Sequence, residues 1–354
     1  MADAIPGSPK PEVFADWMLL LPLGRLHFDD PDAAAAHDPT AVAVDTSTDE
    51  SGYISFTMRH PSKVSYLDLH WPYGIPGVHA PSPANLFAVS SHENLVLLRM
   101  ALASMDYRFG GPDLFVYTFG SSSPPPSVRR LPACTEMTRD LACGRGFLKV
   151  ETNLGILCRG GDPNNYVVAD LVVSWKESSF PDDHDFTTNP PQMFAALCTF
   201  SSKKGAWTTK EMLAPQPHGQ GQFPYLWCCD RVRPFAGRFL CWVDFYSGMV
   251  FCDFSDDDSP VLHYTPVPGI QQFSVKRLIE RYCPESFRNV TVSQGMLRFV
   301  HIDNGWQDLE TSDRAITVWN LMATGDCWSW EIHRKINLDD LWAQRGHKLL
   351  ALPS

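Results

Sequence analysis

Asp244 and Asp253 stand on either side of Tyr246-Ser247-Gly248 in the run Trp-Val-Asp-Phe-Tyr-Ser-Gly-Met-Val-Phe-Cys-Asp-Phe at residues 242–254. A pair of carboxylic acids is what glycosidic hydrolysis requires, one as acid and the other as base or nucleophile. The competing reading gives Asp244 to the turn itself, where a short carboxylate accepts backbone N–H groups. His92-Glu93 opens a zincin-like pattern, but Val96 takes the place of the second helical His, which leaves a polar turn between strands. Asp182-Asp183-His184-Asp185 and Asp256-Asp257-Asp258 could gather oxygen ligands for a hard cation. Both lack alternating ligand positions with a Gly at the bend and read as solvated acidic turns. Arg277, Arg281 and Arg288 make a basic knot that reads as a solvated helix face. Nucleophile elbows, P-loops and dinucleotide fingerprints do not occur, so catalytic, cofactor-binding and metal-ligating residues are all assigned as none, and no cofactor is expected.

The elements that would position these residues are strands. From Val42 onward, runs of apolar, β-branched and aromatic residues recur between Gly, Pro, Ser, Asn and Asp clusters, roughly twenty of them by the usual strand signals. Tyr53–Met58, Val64–Leu69, Leu114–Phe119, Tyr166–Trp175, Met193–Phe200, Phe239–Phe245 and Met249–Phe254 are examples. Helical periodicity is confined to Val275–Cys283 and Leu338–Gln344.

A weak repeat overlays Met193–Phe200 and Trp207 on Ile316–Leu321 and Trp328, with Leu114–Phe119 as a third, Trp-less copy. Strand, polar turn and aromatic-led strand is how propeller blades stack. The predicted fold is therefore all-β, a β-propeller of five to seven blades with only short helices. Trp207, Trp319, Trp328 and Trp330 could line a ligand groove, but packing between blades explains them first. Residues 1–12 are Pro-rich and expected to be disordered, with a single propeller-like domain over 13–354.

Composition restricts the partners. The chain carries 29 basic against 40 acidic residues, a formal charge of −11, which disfavours nucleic acid and anionic membrane surfaces. Lys203-Lys204 and Arg129-Arg130 are isolated basic pairs read as loops. The 10 cysteines include Cys198, Cys241 and Cys252 inside apolar runs and form no Cys-x-x-Cys, so they read as reduced core thiols of a cytoplasmic or nuclear protein. The Asn289-Val290-Thr291 sequon would meet no glycosylation there.

Three segments resemble landmarks of a grass-expanded plant family, the domain of unknown function 1618. They are Trp242–Phe254 with Tyr264–Gly269, Arg288–Val300, and Ile316–Trp319 through Asp339–Trp342. The resemblance implies a signature region at about 239–345 with Trp242, Asp244, Gly248, Asp253, Gly295, Trp319, Trp328 and Trp342 as its structural marks. Gly248 is expected at a turn position with positive φ. Some members of that family carry an F-box, whose three-helix pattern this N-terminus does not show. Members of that family usually continue past the Leu-Trp position, which implies a last blade that is incomplete here and self-association through an open edge. The function expected is a non-enzymatic protein-interaction scaffold with unknown protein partners. The alternative is a carbohydrate-active hydrolase using central carboxylates such as Asp244.

Overall fold

The computed structural model describes residues 18–28, 38–60, 63–71, 84–102, 112–120, 124–134, 153–175, 192–215, 223–224, 227–256, 259–269, 283–303, 314–324 and 327–343. The predicted disordered terminus, residues 275–282 of the first expected helix with Arg277 and Arg281, the acidic cluster at 182–185 and Asp257-Asp258 of the other acidic cluster lie outside them. The chain folds as two compact units, residues 1–88 with 96–133 and residues 89–95 with 134–354.

In the first unit, β1 (Leu19–Leu20) and β2 (Arg25–His27) both pair with β5, and β3 (Val42–Asp45), β4 (Ser51–Thr57) and β5 (Val64–His70) complete the sheet in the order β1-β5-β4-β3. β1 and β2 run parallel to β5, and the other pairs are antiparallel. A second sheet takes β6 (Ala84–His92), β7 (Leu95–Leu102), β8 (Asp113–Thr118) and β9 (Ser127–Arg130) in sequence order. Arg129 and Arg130, read as loop, are therefore strand residues, registered against Val116 and Phe115. Period-two alternation sends one face of each strand inward. Ile54, Phe56, Leu67, Leu69, Trp71, Leu98, Met100, Phe115 and Tyr117 form the buried core. Tyr117 closes it by donating its hydroxyl to the Thr40 carbonyl at 2.7 Å.

The second unit repeats one plan three times. β10 (Leu154–Arg159), β11 (Asp162–Trp175), β12 (Met193–Ser201) and β13 (Ala206–Leu213) form an antiparallel sheet in sequence order. So do β14 (Arg231–Phe235), β15 (Phe239–Asp244), β16 (Gly248–Asp253) and β17 (Val261–Pro266), and again β18 (Arg288–Ser293), β19 (Met296–Ile302), β20 (Ala315–Thr324) and β21 (Cys327–Asn337). The first strands adjoin, β10 beside β14 and β14 beside β18.

The middle sheet is covered on both sides, and its sequence shows why. β15, Phe-Leu-Cys-Trp-Val-Asp, is buried at every position, the continuous apolar run of a strand with two packed faces. Leu240, Trp242, Val250 and Cys252 share a core with Leu157, Val167, Leu171 and Leu197 of the preceding sheet. The intervening residues Phe239, Cys241, Val243, Met249 and Phe251 share another with Val290, Leu297, Phe299 and Trp319 of the following one.

The three repeat segments read from the sequence all fall on third strands, β8, β12 and β20. Their alignment needs one correction. Phe200 is registered with Trp207, but Leu321 is registered with Trp330, because β20 runs on through Met322 to Thr324. Trp330, not Trp328, is the counterpart of Trp207.

The second expected helix is present as α1 (Leu338–Ala343), opened by Asn337, whose side-chain oxygen accepts the Asp339 N–H at 2.8 Å.

Candidate functional site

The signature hairpin joins β15 to β16 through Phe245, Tyr246 and Ser247, with the Ser247 N–H donating to the Asp244 carbonyl at 3.2 Å. Asp244 is fully buried, and its carboxylate accepts the backbone N–H groups of Tyr246 and Cys228, each at 2.8 Å. One side chain thus ties the turn to the segment leading into β14. Asp230 completes the anchor by accepting the Phe245 N–H at 3.0 Å.

Gly248 does not occupy the turn, and its φ is not in the left-handed region that Gly160, Gly161, Gly205, Gly237, Gly269 and Gly295 adopt. It is the first residue of β16, registered opposite Asp244, and glycine is required for a different reason. A Cβ there would lie 2.5 to 2.6 Å from Oη, Cε2 and Cζ of Tyr264. Tyr264 is buried and donates its hydroxyl to the Ser247 carbonyl at 2.9 Å. Burial pushes that phenol up, with the nearby Asp244 charge adding to it. Gly295 is the signature glycine that does carry positive φ, at 72°.

Arg288 departs most from its sequence reading. It is 2 % exposed at the start of β18, where Nη1 donates to the Phe245 carbonyl at 2.7 Å and the guanidinium lies 5.1 Å from the rings of both Tyr246 and Phe287. Burial draws its pKa down to about 10, against the opposing pull of Tyr246, Asp244 and Asp230. A solvated helix face is excluded because Arg288 opens a strand and its planar head is engaged under the hairpin turn.

Register separates the two signature carboxylates. Asp244 is opposite Gly248 and Asp253 opposite Phe239, so they sit at opposite ends of the hairpin. Five strand steps at about 3.3 Å place them about 17 Å apart, whereas glycosidase carboxylates stand about 5 to 10 Å apart. They cannot flank one bond. Asp253 instead pairs with Arg238 and accepts the Ser255 hydroxyl at 2.6 Å. Burial alone would raise its pKa, but these hydrogen bonds hold it below the usual carboxylate range.

Three of the four signature tryptophans, Trp242, Trp319 and Trp328, pack between strands and sheets, as does Trp330. Trp328 stacks on Phe251 with centroids 4.5 Å apart and meets Phe239 edge-on at 5.2 Å. Trp319 lies 5.6 Å from Phe299, Trp242 donates its indole N–H to the Asn153 carbonyl at 2.6 Å, and Trp330 donates to the Pro266 carbonyl at 2.9 Å. Trp342 on α1 is 49 % exposed. His92 ends β6, and its Nδ1 accepts the Cys158 N–H at 2.9 Å, while Glu93 turns the chain at φ 53°.

One polar constellation escaped sequence reading. On the face of the first sheet opposite its core, Asp68 accepts from Arg25 Nε at 2.7 Å, Arg25 Nη2 at 2.9 Å and Thr57 Oγ1 at 2.6 Å, with His27 Nε2 at 2.8 Å. His27 stacks on His70 with centroids 4.9 Å apart, and His70 Nε2 is 3.2 Å from Ser55 Oγ. Burial would raise the Asp68 pKa, but the hydrogen bonds from Arg25, Thr57 and His27 outweigh it and bring it to about 2. Hydrogen bonding to Asp68 correspondingly raises the pKa of Arg25.

A serine, two histidines and an aspartate invite comparison with a hydrolytic triad, but the connectivity differs. The aspartate orients His27 while the serine meets His70, and Ser55 is 1 % exposed. The arrangement locks β2, β4 and β5 together. Its sequence signal was the pair Arg25-Leu26-His27 and Asp68-Leu69-His70, each period-two, but only the parallel β2/β5 register brings them together.

The class defined by this geometry is an all-β protein with several four-stranded antiparallel sheets. Residues 242–354 match the family described as "Protein of unknown function (DUF1618)", whose landmarks the sequence resembles. No curated protein matches the chain. Two solved structures are similar over most of its length. A hypothetical selenium-binding protein from Sulfolobus tokodaii is 10 % identical, with 81 % of this chain and 73 % of that one covered at a TM-score of 0.33. A variant of the Aleuria aurantia lectin in complex with α-methyl-L-fucoside is 10 % identical, with 84 % and 77 % covered at a TM-score of 0.32. Likeness at this level carries no inference about ligand or activity. Among the described residues, no helix is long and apolar enough to cross a membrane.

Proposed function

We propose that this chain is a non-enzymatic protein-interaction scaffold of a plant cell, built as a β-propeller whose blades are the four-stranded sheets and acting in the cytoplasm or nucleus. The propeller reading is supported by the second unit, where three sheets of one plan follow each other with adjoining first strands and a middle sheet packed on both faces.

The observation that carries the interaction role is the outer strand of each of these sheets. β13, β17 and β21 are sheet edges, and each displays an exposed aliphatic side chain: Leu213 at 56 %, Val261 at 51 % and Ile332 at 65 %. Edge strands offer backbone hydrogen-bonding groups, and aliphatic side chains beside them suit a protein partner better than a sugar or a phosphate. The acidic side chains best placed for chemistry, Asp68 and Asp244, are instead saturated by groups of the fold.

Affinity purification of the tagged full chain from grass tissue, followed by reconstitution with the purified partner, tests this. A complex of fixed stoichiometry weakened by Ile332→Asp, Val261→Asp or Leu213→Asp supports the proposal. Reconstitution that is indifferent to all three substitutions overturns it.

A further inference from the structure

Within the second unit, Cys134 and Cys198 bring their sulfur atoms to 3.0 Å. Cys198 lies in β12, registered between Asp170 of β11 and Thr209 of β13, and is 7 % exposed. Alternation explains its direction. Ala195 and Leu197 point into the core shared with the β14–β17 sheet, so Cys198 points to the opposite face of its own sheet. Cys134, half-buried, ends the stretch that follows β9 and is the first residue of the second unit after residues 96–133 of the first. The two thiols come from positions 64 residues apart in the chain, so their approach is a product of the tertiary fold.

The remaining described cysteines are placed differently. Cys241 and Cys252 are buried inside strands, where burial raises their pKa values. Cys158 is likewise buried, and burial with the neighbouring Glu93 pushes its thiol up to about 12. Vicinal Cys228 and Cys229 direct their sulfurs at backbone carbonyls, and Cys283 is exposed beside Glu285. Among the described residues none of these is disulfide-bonded.

We propose that Cys134 and Cys198 form a redox-responsive pair that closes to a disulfide when the protein meets hydrogen peroxide. The Cys198 thiol is raised first by its hydrogen bond with Cys134 and then by burial, which disfavours its thiolate. Cys134, the less buried of the two residues, is the attacking group. Its thiolate displaces hydroxide from the peroxide O–O bond and becomes a sulfenic acid. The Cys198 sulfur then attacks the Cys134 sulfur, breaking its S–O bond, and the departing oxygen leaves as water. The sum is two thiols and one hydrogen peroxide giving one disulfide and two waters, with both sulfurs oxidised and the peroxide reduced. The product staples the point where the chain passes into the second unit to the third strand of the β10–β13 sheet, closing a loop across the intervening residues.

The test uses the full chain, purified under reductant and exchanged free of it. Exposure to stoichiometric hydrogen peroxide, quenching, alkylation and non-reducing digestion with mass spectrometry follow the fate of each cysteine. The expected result is loss of two thiols as a Cys134–Cys198 crosslinked peptide, formed faster than oxidation of exposed Cys283 and reversed by dithiothreitol. Cys198→Ser should leave Cys134 as a sulfenic acid trapped by dimedone, and Cys134→Ser, a milder change at a half-buried position, should protect Cys198. A crosslink from Cys134 to Cys143 instead, or oxidation of both sulfurs no faster than Cys283, overturns the proposal.

Discussion

Gly248→Ala is predicted to destabilise the second unit through a clash with Tyr264. The added methyl carbon would fall 2.5 to 2.6 Å from the Tyr264 hydroxyl oxygen and two of its ring carbons, closer than any real van der Waals contact. The ring cannot swing away cheaply. It is 4 % exposed, meets Phe223 edge-on with centroids 5.0 Å apart, and its hydroxyl is tied to the Ser247 carbonyl at 2.9 Å. Overpacking of a filled core costs about 1 to 3 kcal/mol, and losing the phenol hydrogen bond adds about 0.5 to 1.5 kcal/mol. A total of about 2 to 4 kcal/mol lowers Tm by about 4 to 15 °C for a cooperative unit of this size. Differential scanning calorimetry of Gly248→Ala, Tyr264→Ala and the double variant measures the coupling. Once the ring is removed, the glycine substitution should cost under about 0.5 kcal/mol, the level at which independent sites add. An unchanged Tm for Gly248→Ala, or the same loss in the Tyr264→Ala background, would refute the reasoning.

Gly295 provides the contrast. With φ at 72° and nothing within 4 Å of a would-be Cβ, Gly295→Ala should cost about 1 kcal/mol from backbone strain alone, and Gly295→Asn less, by chemical denaturation. Trp328→Ala, which removes a half-buried indole packed against Phe251 and Phe239, should cost about 2 to 4 kcal/mol and quench part of the intrinsic fluorescence. Asp68 is expected to make the first unit acid-sensitive. Its folded pKa of about 2 lies below its unfolded value, so its contribution is complete above about pH 4 and is lost as pH falls toward 2. Asp68→Asn should therefore be less stable at pH 7 yet show a flatter stability profile between pH 4 and 2. A constant offset across that window would contradict the linkage.

The strands were legible because their apolar runs are local. β15 and β16 announce themselves as continuous apolar segments around a polar turn, and α1 begins at an asparagine cap. The function of individual residues was less legible wherever it depended on a distant partner. Gly248 could be recognised as necessary, but only Tyr264, from the next strand, explains why. Arg288 reads as a solvent-facing cation until Phe245 and Tyr246 are folded over it. The network of Arg25, His27, Thr57 and Asp68 rests on a parallel pairing of β2 with β5, which no local pattern encodes. Cys134 and Cys198 meet for the same kind of reason, through a connection whose geometry the sequence does not display.

The measurement that bears most directly on the scaffold reading is turnover by the purified full chain on panels of aryl glycosides, carboxylic esters and phosphate esters, run beside Asp244→Asn and its melting curve. Neither protein is expected to show turnover above buffer, and the substitution should affect stability alone, since Asp244 holds the Tyr246 and Cys228 backbone N–H groups. Reproducible hydrolysis by the native chain, abolished by Asp244→Asn with the fold intact, would contradict the scaffold reading.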